Sequence, residues 1–202
     1  MALDSMREIF EKAAAGQIPF WQVILETDME QRQVTAEQSM EKMRVTWQAM
    51  LESVTAYQGT ERSRSGLVGG DGEKMRQYVE NGKGLCGAYL REVVATALSV
   101  GESNACMRKI VAAPTAGACG VLPAVLVPLY QAGMVSEEQI LQALYAASGI
   151  GAVIGYRACI AGAAGGCQAE IGTASAMAAG ALTSIQGGSA VQIGHEIGRA
   201  HV

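Results

Sequence analysis

From Ile110 to Val202 this chain carries only six formal charges: Glu137, Glu138, Arg157, Glu170, Glu196 and Arg199. Alanine, glycine and serine dominate the same stretch. Each of these side chains buries little apolar area. Such a segment is stable only where backbones approach closely, and small residues permit that approach between helices. No alternating strand pattern and no repeat of fixed period occurs. The expectation is a mainly α fold: a compact helical domain with Gly-rich loops between closely packed Ala/Gly-rich helices. Residues 1–202 read as one domain, with 1–60 as an N-terminal helical part. The windows 110–136 and 171–195 lack formal charges and have the length of a membrane span. They are only weakly apolar, however. Pro114, Pro123 and Pro128 interrupt the first, and basic flanks are missing. A membrane or scaffold protein is therefore the minority alternative to a soluble helical core.

Before Lys109 the charges are dense and helical periodicity is clear. Asp4 or Ser5 can cap a helix to about Ala15. Pro19 suits the first position of a second helix to about Met29. Thr35 and Gln38 form a capping-box pair. They open a long helix whose apolar residues, Met40, Met43, Trp47, Met50, Leu51 and Val54, recur at spacings of three and four on one face. Gly59 is placed to end it. Ser65 to Gly72 holds four glycines in eight residues and reads as a loop. A helix follows from about Leu85 to Val100. Ala112 to Gly120 is a second glycine-containing loop, leading into an apolar helix with Pro123 near its start. Ser136 caps a helix to about Gly155, with Glu137 and Glu138 at the positive end of its dipole. A last helix starts near Ser189.

The net charge of −4 and pI near 5.3 argue against nucleic-acid binding through a basic surface. Five cysteines, an odd number in a chain without an opening apolar signal, suit free thiols in a reducing, cytoplasmic compartment. For Cys86, Cys106 and Cys159, on Ala-rich helical patterns, a small buried hydrophobe is the expected role. The same reading leads for Cys119, in its loop. Cys167 follows two glycines and precedes Gln168 and Glu170. On spacing alone a metal ligand and a buried thiol both stay open there, with the thiol ahead. Each glycine loop can offer backbone N–H groups to a carboxylate, with Ser65 and Thr115 as hydroxyl donors. Lys74, Asn104 and Glu170 are polar residues beside these elements. Glu170 is one of few charges in its half, and such a charge is expected to be paired or at a site.

Three segments carry a resemblance. They are Asn81-Gly82-Lys83-Gly84 with Glu102-Ser103-Asn104-Ala105, then Lys109-Ile110-Val111-Ala112-Ala113-Pro114-Thr115-Ala116-Gly117-Ala118-Cys119-Gly120, then Gly166-Cys167-Gln168-Ala169-Glu170-Ile171-Gly172. In this order they resemble the alpha chain of iron–sulfur-dependent L-serine dehydratases (L-serine ammonia-lyases). The resemblance covers nearly the whole chain. It implies a helical catalytic domain and a 4Fe–4S cluster on three cysteines. It also implies conversion of L-serine to pyruvate and ammonia without pyridoxal phosphate. Only the first cluster cysteine of the family pattern maps here, onto Cys167. The other two belong to a segment of the type Leu-Gly-Leu-x-Cys-Asp-Pro expected just past Val202, with Glu196-Ile197-Gly198 and His201 as its approach. A C-terminally truncated chain, inactive and without a cluster when alone, is the expectation. Single-chain relatives carry a Ser-Gly-Pro-Ser-Ser-Ser-His-Thr motif that does not occur here. The resemblance is thus to the two-subunit form, which needs a beta subunit and can form a higher oligomer.

The implied chemistry needs a Lewis-acid iron at the leaving hydroxyl, a base for the Cα proton and donors for the substrate carboxylate. The candidate bases are Lys74 and Glu170. The candidate substrate-binding residues are Ser65, Thr115, Gly117 and Asn104, and the metal ligand is Cys167. A related carbon–sulfur lyase acting on L-cysteine is the alternative enzyme.

Overall fold

The fold, taken from a computed structural model, is described for residues 3–82 and 86–199. Lys83, Gly84 and Leu85, which fall in the first motif and at the expected start of a helix, lie outside the described residues, as does His201. In chain order the helices are α1 (Met6–Gly16), α2 (Phe20–Arg32), α3 (Ala36–Thr55), α4 (Asp71–Glu80) and α5 (Ala88–Ala105). They continue with α6 (Val121–Gln131), α7 (Glu137–Arg157), α8 (Gly162–Gly165), α9 (Cys167–Ile185) and α10 (Ala190–His195). Short 3-10 turns occupy Ala116–Ala118 and Glu196–Arg199. No strand occurs among the described residues, so the mainly α expectation holds. No helix among them is long and apolar enough to cross a membrane.

Local sequence explains most helix starts. Ser5 caps α1 by accepting from the Glu8 N–H. Reciprocal capping boxes open α3 (Thr35 with Gln38), α7 (Ser136 with Gln139) and α10 (Ser189 with Gln192). Each satisfies two backbone donors that a helix start leaves without internal partners. Some boundaries differ from expectation. Pro19 is the N-cap of α2, one residue outside it. α3 ends at Thr55, before Gly59. α5 runs on to Ala105. α4 begins inside the glycine-rich stretch, because its first-turn carboxylates, Asp71 and Glu73, offset the cost of Gly72.

The chain divides into two packing units, Met1–Val45 with Val135–Val202, and Thr46–Met134. The division does not follow the change of composition near Lys109. In the first unit, α7 packs against α9 and α2. Ala143, Ala146 and Ala147 of α7 and Ala174, Ala178 and Ala181 of α9 are buried. This is the close approach that the small residues call for. Gly149 lets α2 in: a Cβ there would lie 2.5 Å from Cδ1 of Ile24. Phe20, Val23, Ile140, Ile150 and Val153 fill the spaces between helices. Each contributes about 1.5–3 kcal/mol by burial.

In the second unit, α5 packs against α4 and α6. Trp47 of α3 is fully buried, with its ring edge-on to Tyr130 of α6 at 5.5 Å. Met50 and Val54 are buried beside it in sequence register, so the predicted apolar face of α3 is the one that packs. Pro123 and Pro128 are both tolerated in α6. Pro123 is a first-turn residue, where a missing N–H loses nothing.

The cysteines require a correction. Cys86 and Cys159 are exposed and Cys106 is half-buried, whereas Cys119 is buried. Cys86 and Cys159 lie in the segments flanking α5 and α7 rather than on packed helix faces. Cys119 is drawn inward where the second glycine loop turns into α6.

Candidate active site

The second glycine loop is built against α5. Thr115 is extended, with φ −125° and ψ 166°, and precedes the 3-10 turn Ala116–Ala118. The Ala113–Pro114 peptide before it is cis. The side-chain amide of Asn104, in the last turn of α5, donates to the Ala116 carbonyl at 3.0 Å. Asn104, Thr115 and Gly117 are therefore brought together, with Thr115 half-buried and Gly117 exposed. Behind the turn, a Cβ on Gly120 would stand 3.0 Å from the Ala97 carbonyl oxygen. The absence of a side chain there lets the loop lie on α5. Burial pushes the Cys119 thiol up to about 11, so at neutral pH it is a neutral packing group.

The first glycine loop closes on itself. Ser63 N–H donates to the Val68 carbonyl at 2.8 Å, and Gly66 N–H donates to Ser63 at 2.8 Å. Ser65 is exposed, with its hydroxyl 3.1 Å from that of Ser63. The chain then enters α4 through Gly69 (φ 135°) and Gly70 (φ 85°), in the region open to glycine. Lys74, on the first turn of α4, is exposed and pairs with Asp71 at 2.8 Å.

Two residues to which the sequence assigned no role hold these parts in place. Glu102, only 6% exposed, lies two residues before Asn104. One of its oxygens accepts the Asp71 N–H at 2.6 Å, so a carboxylate sits at the N-terminus of α4. The other accepts from the Tyr57 hydroxyl at 2.5 Å, and that hydroxyl accepts from the Glu73 N–H at 3.1 Å. Burial, and then the Glu102 carboxylate, push the Tyr57 phenol up to about 12. Glu102 had a sequence signal, as a charge following the uncharged run Val93 to Gly101. Tyr57 had none.

Cys167 and Glu170 belong to the other unit and share the first turn of α9. Cys167 is exposed and follows Gly166, whose φ of 80° turns the chain into the helix. Glu170 is half-buried and accepts the Gly162 N–H at 3.3 Å. A Cβ on Gly162 would stand 2.8 Å from the carboxyl carbon of Glu170, so the glycine makes room for the carboxylate.

Residues 15–200 match the family described as "Serine dehydratase alpha chain". This chain belongs to that family. The chain is 36% identical to the probable L-serine dehydratase alpha chain of Bacillus subtilis (strain 168), over 93% of this chain and 63% of that protein. It is 36% identical to the L-serine dehydratase alpha chain of Peptoniphilus asaccharolyticus, over 96% of this chain and 66% of that one. A shorter match, 47% identical over 98 residues, is to the L-serine dehydratase TdcG of Escherichia coli (strain K12), over 48% of this chain and 22% of that protein. The chain thus spans just under two thirds of the first two relatives' length.

Serine dehydratases of this family are generally iron–sulfur dependent. Cys167 suits one donor position: its thiol is exposed, at the first turn of α9. Among the described residues, no three His, Cys, Asp or Glu side chains converge to hold a metal ion. Among the described residues, Cys167 is thus not part of a complete set of metal ligands.

Proposed function

We propose that this chain is the alpha-type catalytic part of an L-serine dehydratase that forms pyruvate and ammonia. The observation that carries the reading is its 36% identity to proteins named as L-serine dehydratase alpha chains over more than nine tenths of its length. In the reaction, the Cα–H and Cβ–O bonds of serine break and water leaves. The aminoacrylate product tautomerises to an imine, and a second water hydrolyses it to pyruvate and ammonia.

Thr115, Gly117 and the backbone of their turn receive the substrate carboxylate in this proposal. Hydroxyl and N–H donors there match a carboxylate. Asn104 is a positioning residue, since its amide holds the Ala116 carbonyl and thereby the turn. Ser65, exposed on the first glycine loop, is a further proposed donor. We assign the Cα proton acceptor to Glu170 in preference to Lys74. Glu170 is half-buried and held by a backbone N–H. Lys74 is 77% exposed and paired with Asp71. Cys167 contributes one thiolate to a 4Fe–4S cluster, which when bound supplies Lewis-acid assistance to the departing hydroxyl. Pyridoxal phosphate has no part in this scheme. The names of the relatives, as alpha chains, support a separate beta subunit as partner. Five free thiols suit a reducing cytoplasm.

The test is to purify the native gene product anaerobically, supply iron and sulfide, and measure pyruvate from L-serine. Release of pyruvate and ammonia in equal amounts is expected. Sulfide release from L-cysteine without serine turnover would overturn the reading in favour of a carbon–sulfur lyase.

A further inference from the structure

Cys159 and Cys167 are the two cysteines of the unit formed by Met1–Val45 with Val135–Val202, and both are exposed. The catalytic scheme uses Cys167 and gives Cys159 no role. The short helix α8 bridges them in sequence.

The turn of α8 brings the chain back onto Cys159. Gly165 and Gly166 donate to the Ala161 and Gly162 carbonyls at 2.8 and 2.9 Å. A Cβ on Gly165 would lie 3.7 Å from the Cβ of Cys159, a separation found across disulfides. The same point is 2.7 Å from the Cβ of Ala169, in the first turn of α9. Cys159 and the start of α9 therefore flank Gly165, and the missing side chain leaves the space between them open. The Cys159 thiol donates weakly to the Ala161 carbonyl at 3.8 Å, which turns it toward the start of α8.

Cys167 lies just past this contact, as the first residue of α9. Gly166 joins it to α8 with φ 80° and ψ 168°, a conformation open to glycine. Rotation about Gly166 moves Cys167 relative to Cys159. No residue of α8 is buried, so the movement breaks no core packing. A helix of four residues is marginal by itself, so rearranging it costs little.

We propose that Cys159 and Cys167 are a dithiol pair that hydrogen peroxide closes to a disulfide, withdrawing Cys167 from metal binding. One thiolate attacks an oxygen of the peroxide, breaks the O–O bond and becomes a sulfenic acid as water leaves. The second thiol attacks that sulfur, forms the S–S bond and expels the hydroxyl as a second water. The two sulfurs together lose two electrons, and the peroxide is reduced to water. A dithiol reductant reverses the bond. In a reducing compartment such a disulfide is transient, as redox-sensing ones are. The bond itself is independent of the catalytic reading. Its consequence for a cluster rests on that reading.

The test treats the reduced, cluster-free native protein with equimolar hydrogen peroxide near neutral pH, then alkylates and digests it with trypsin. Both thiols fall in one peptide, Ala158–Arg199. Its alkylation should fall about tenfold or more, with a mass two hydrogens below the reduced form. Dithiothreitol should restore alkylation. In Cys159→Ser, dimedone should instead trap Cys167 as the sulfenic acid. Iron bound after anaerobic supply of iron and sulfide should drop on oxidation and recover with dithiothreitol. A Cys167 that stays open to alkylation, or that pairs with Cys86, would overturn the proposal. So would a Cys167 protected equally well in Cys159→Ser, or unchanged iron binding by the oxidised protein. A disulfide formed in a protein that turns over no serine would support the pair and remove only the catalytic reading.

Discussion

Tyr57 donates its phenolic hydrogen to Glu102 at 2.5 Å, across 45 residues of sequence. The other oxygen of that carboxylate accepts the first N–H of α4 at 2.6 Å. A single buried side chain thus joins the end of α3, the start of α4 and the last turns of α5. The segment Gly59–Gly70 between α3 and α4 carries no helix, so this junction fixes both its ends.

Tyr57→Phe should therefore destabilise the fold. It removes a hydrogen bond to a charged acceptor, worth about 1.5–3 kcal/mol. The native phenol also titrates higher than an unfolded one, up to about 12 instead of 10. The folded state then binds more protons in that interval. Its contribution is complete below pH 10 and is lost as pH rises toward 12. Chemical denaturation between pH 8 and pH 11 should show a steeper alkaline loss for wild type than for Tyr57→Phe. Parallel curves would refute the assignment.

Gly72→Ala sets two effects of opposite sign against each other. Alanine is favoured over glycine in a helix by about 1 kcal/mol. A Cβ here, however, would stand 2.8 Å from the Ser99 hydroxyl oxygen, 2.9 Å from that of Tyr57 and 3.1 Å from the Ser99 Cα. The last contact is backbone and cannot rotate away. Overpacking of this kind costs about 1–3 kcal/mol. A net loss of stability and a lowered urea midpoint are expected, and a raised midpoint would show that α4 and α5 separate at little cost.

The helical class and most helix starts were legible because their causes are local. Ser136 with Gln139 and Ser189 with Gln192 are complete signals within four residues. The apolar face of α3 was legible from spacing. α4 was hidden because Gly72 counts against a helix locally, and only the tertiary cap from Glu102 shows why the helix starts there. The exposure of Cys159 was not legible for a related reason. Its Ala-rich surroundings suggested a helix, but α7 stops at Arg157 and leaves it in an irregular connecting segment. In the candidate site, Thr115 and Asn104 were named from motifs, but their link through Ala116 is a matter of folding. Tyr57 lies in no motif.

Thiol accessibility separates the five cysteines. Cys86, Cys159 and Cys167 are exposed, Cys106 is half-buried, and Cys119 is buried with its thiol pushed up to about 11. Labelling of the cluster-free protein at pH 8 should modify three thiols quickly and Cys106 more slowly. Cys119 should react only on unfolding, since the thiolate is the reactive form. Mass spectrometry of the peptides identifies each. Rapid modification of Cys119 in the folded chain would contradict its placement.

The Thr115 turn should announce its role through the pattern of kinetic constants. Thr115→Val removes a donor that serves ground state and transition state alike. KM for L-serine is expected to rise about tenfold with kcat little changed. Asn104→Asp keeps the shape but replaces the donor facing the Ala116 carbonyl with an acceptor. The turn loses its support, and kcat/KM should fall by about 10²-fold, the scale of a small misplacement in a positioned site. Equal, mild effects of both variants on melting temperature alone would reduce the turn to a structural element.

Glu170 and Lys74 can be told apart as proton acceptors because one substitution preserves its local structure. In Glu170→Gln the amide oxygen still accepts the Gly162 N–H, so the start of α8 and the fit of Gly162 are retained. The negative charge and the ability to take a proton are lost. General-base removal lowers turnover by about 10²–10⁴-fold. That fall in kcat is expected for Glu170→Gln, with an unchanged thermal melt. Lys74→Met removes an exposed pair with Asp71 and should change kcat less than about threefold, in line with the small worth of surface ion pairs. The reverse result would move the role to Lys74. Retention of full activity by both variants would exclude both and send the search to other polar groups.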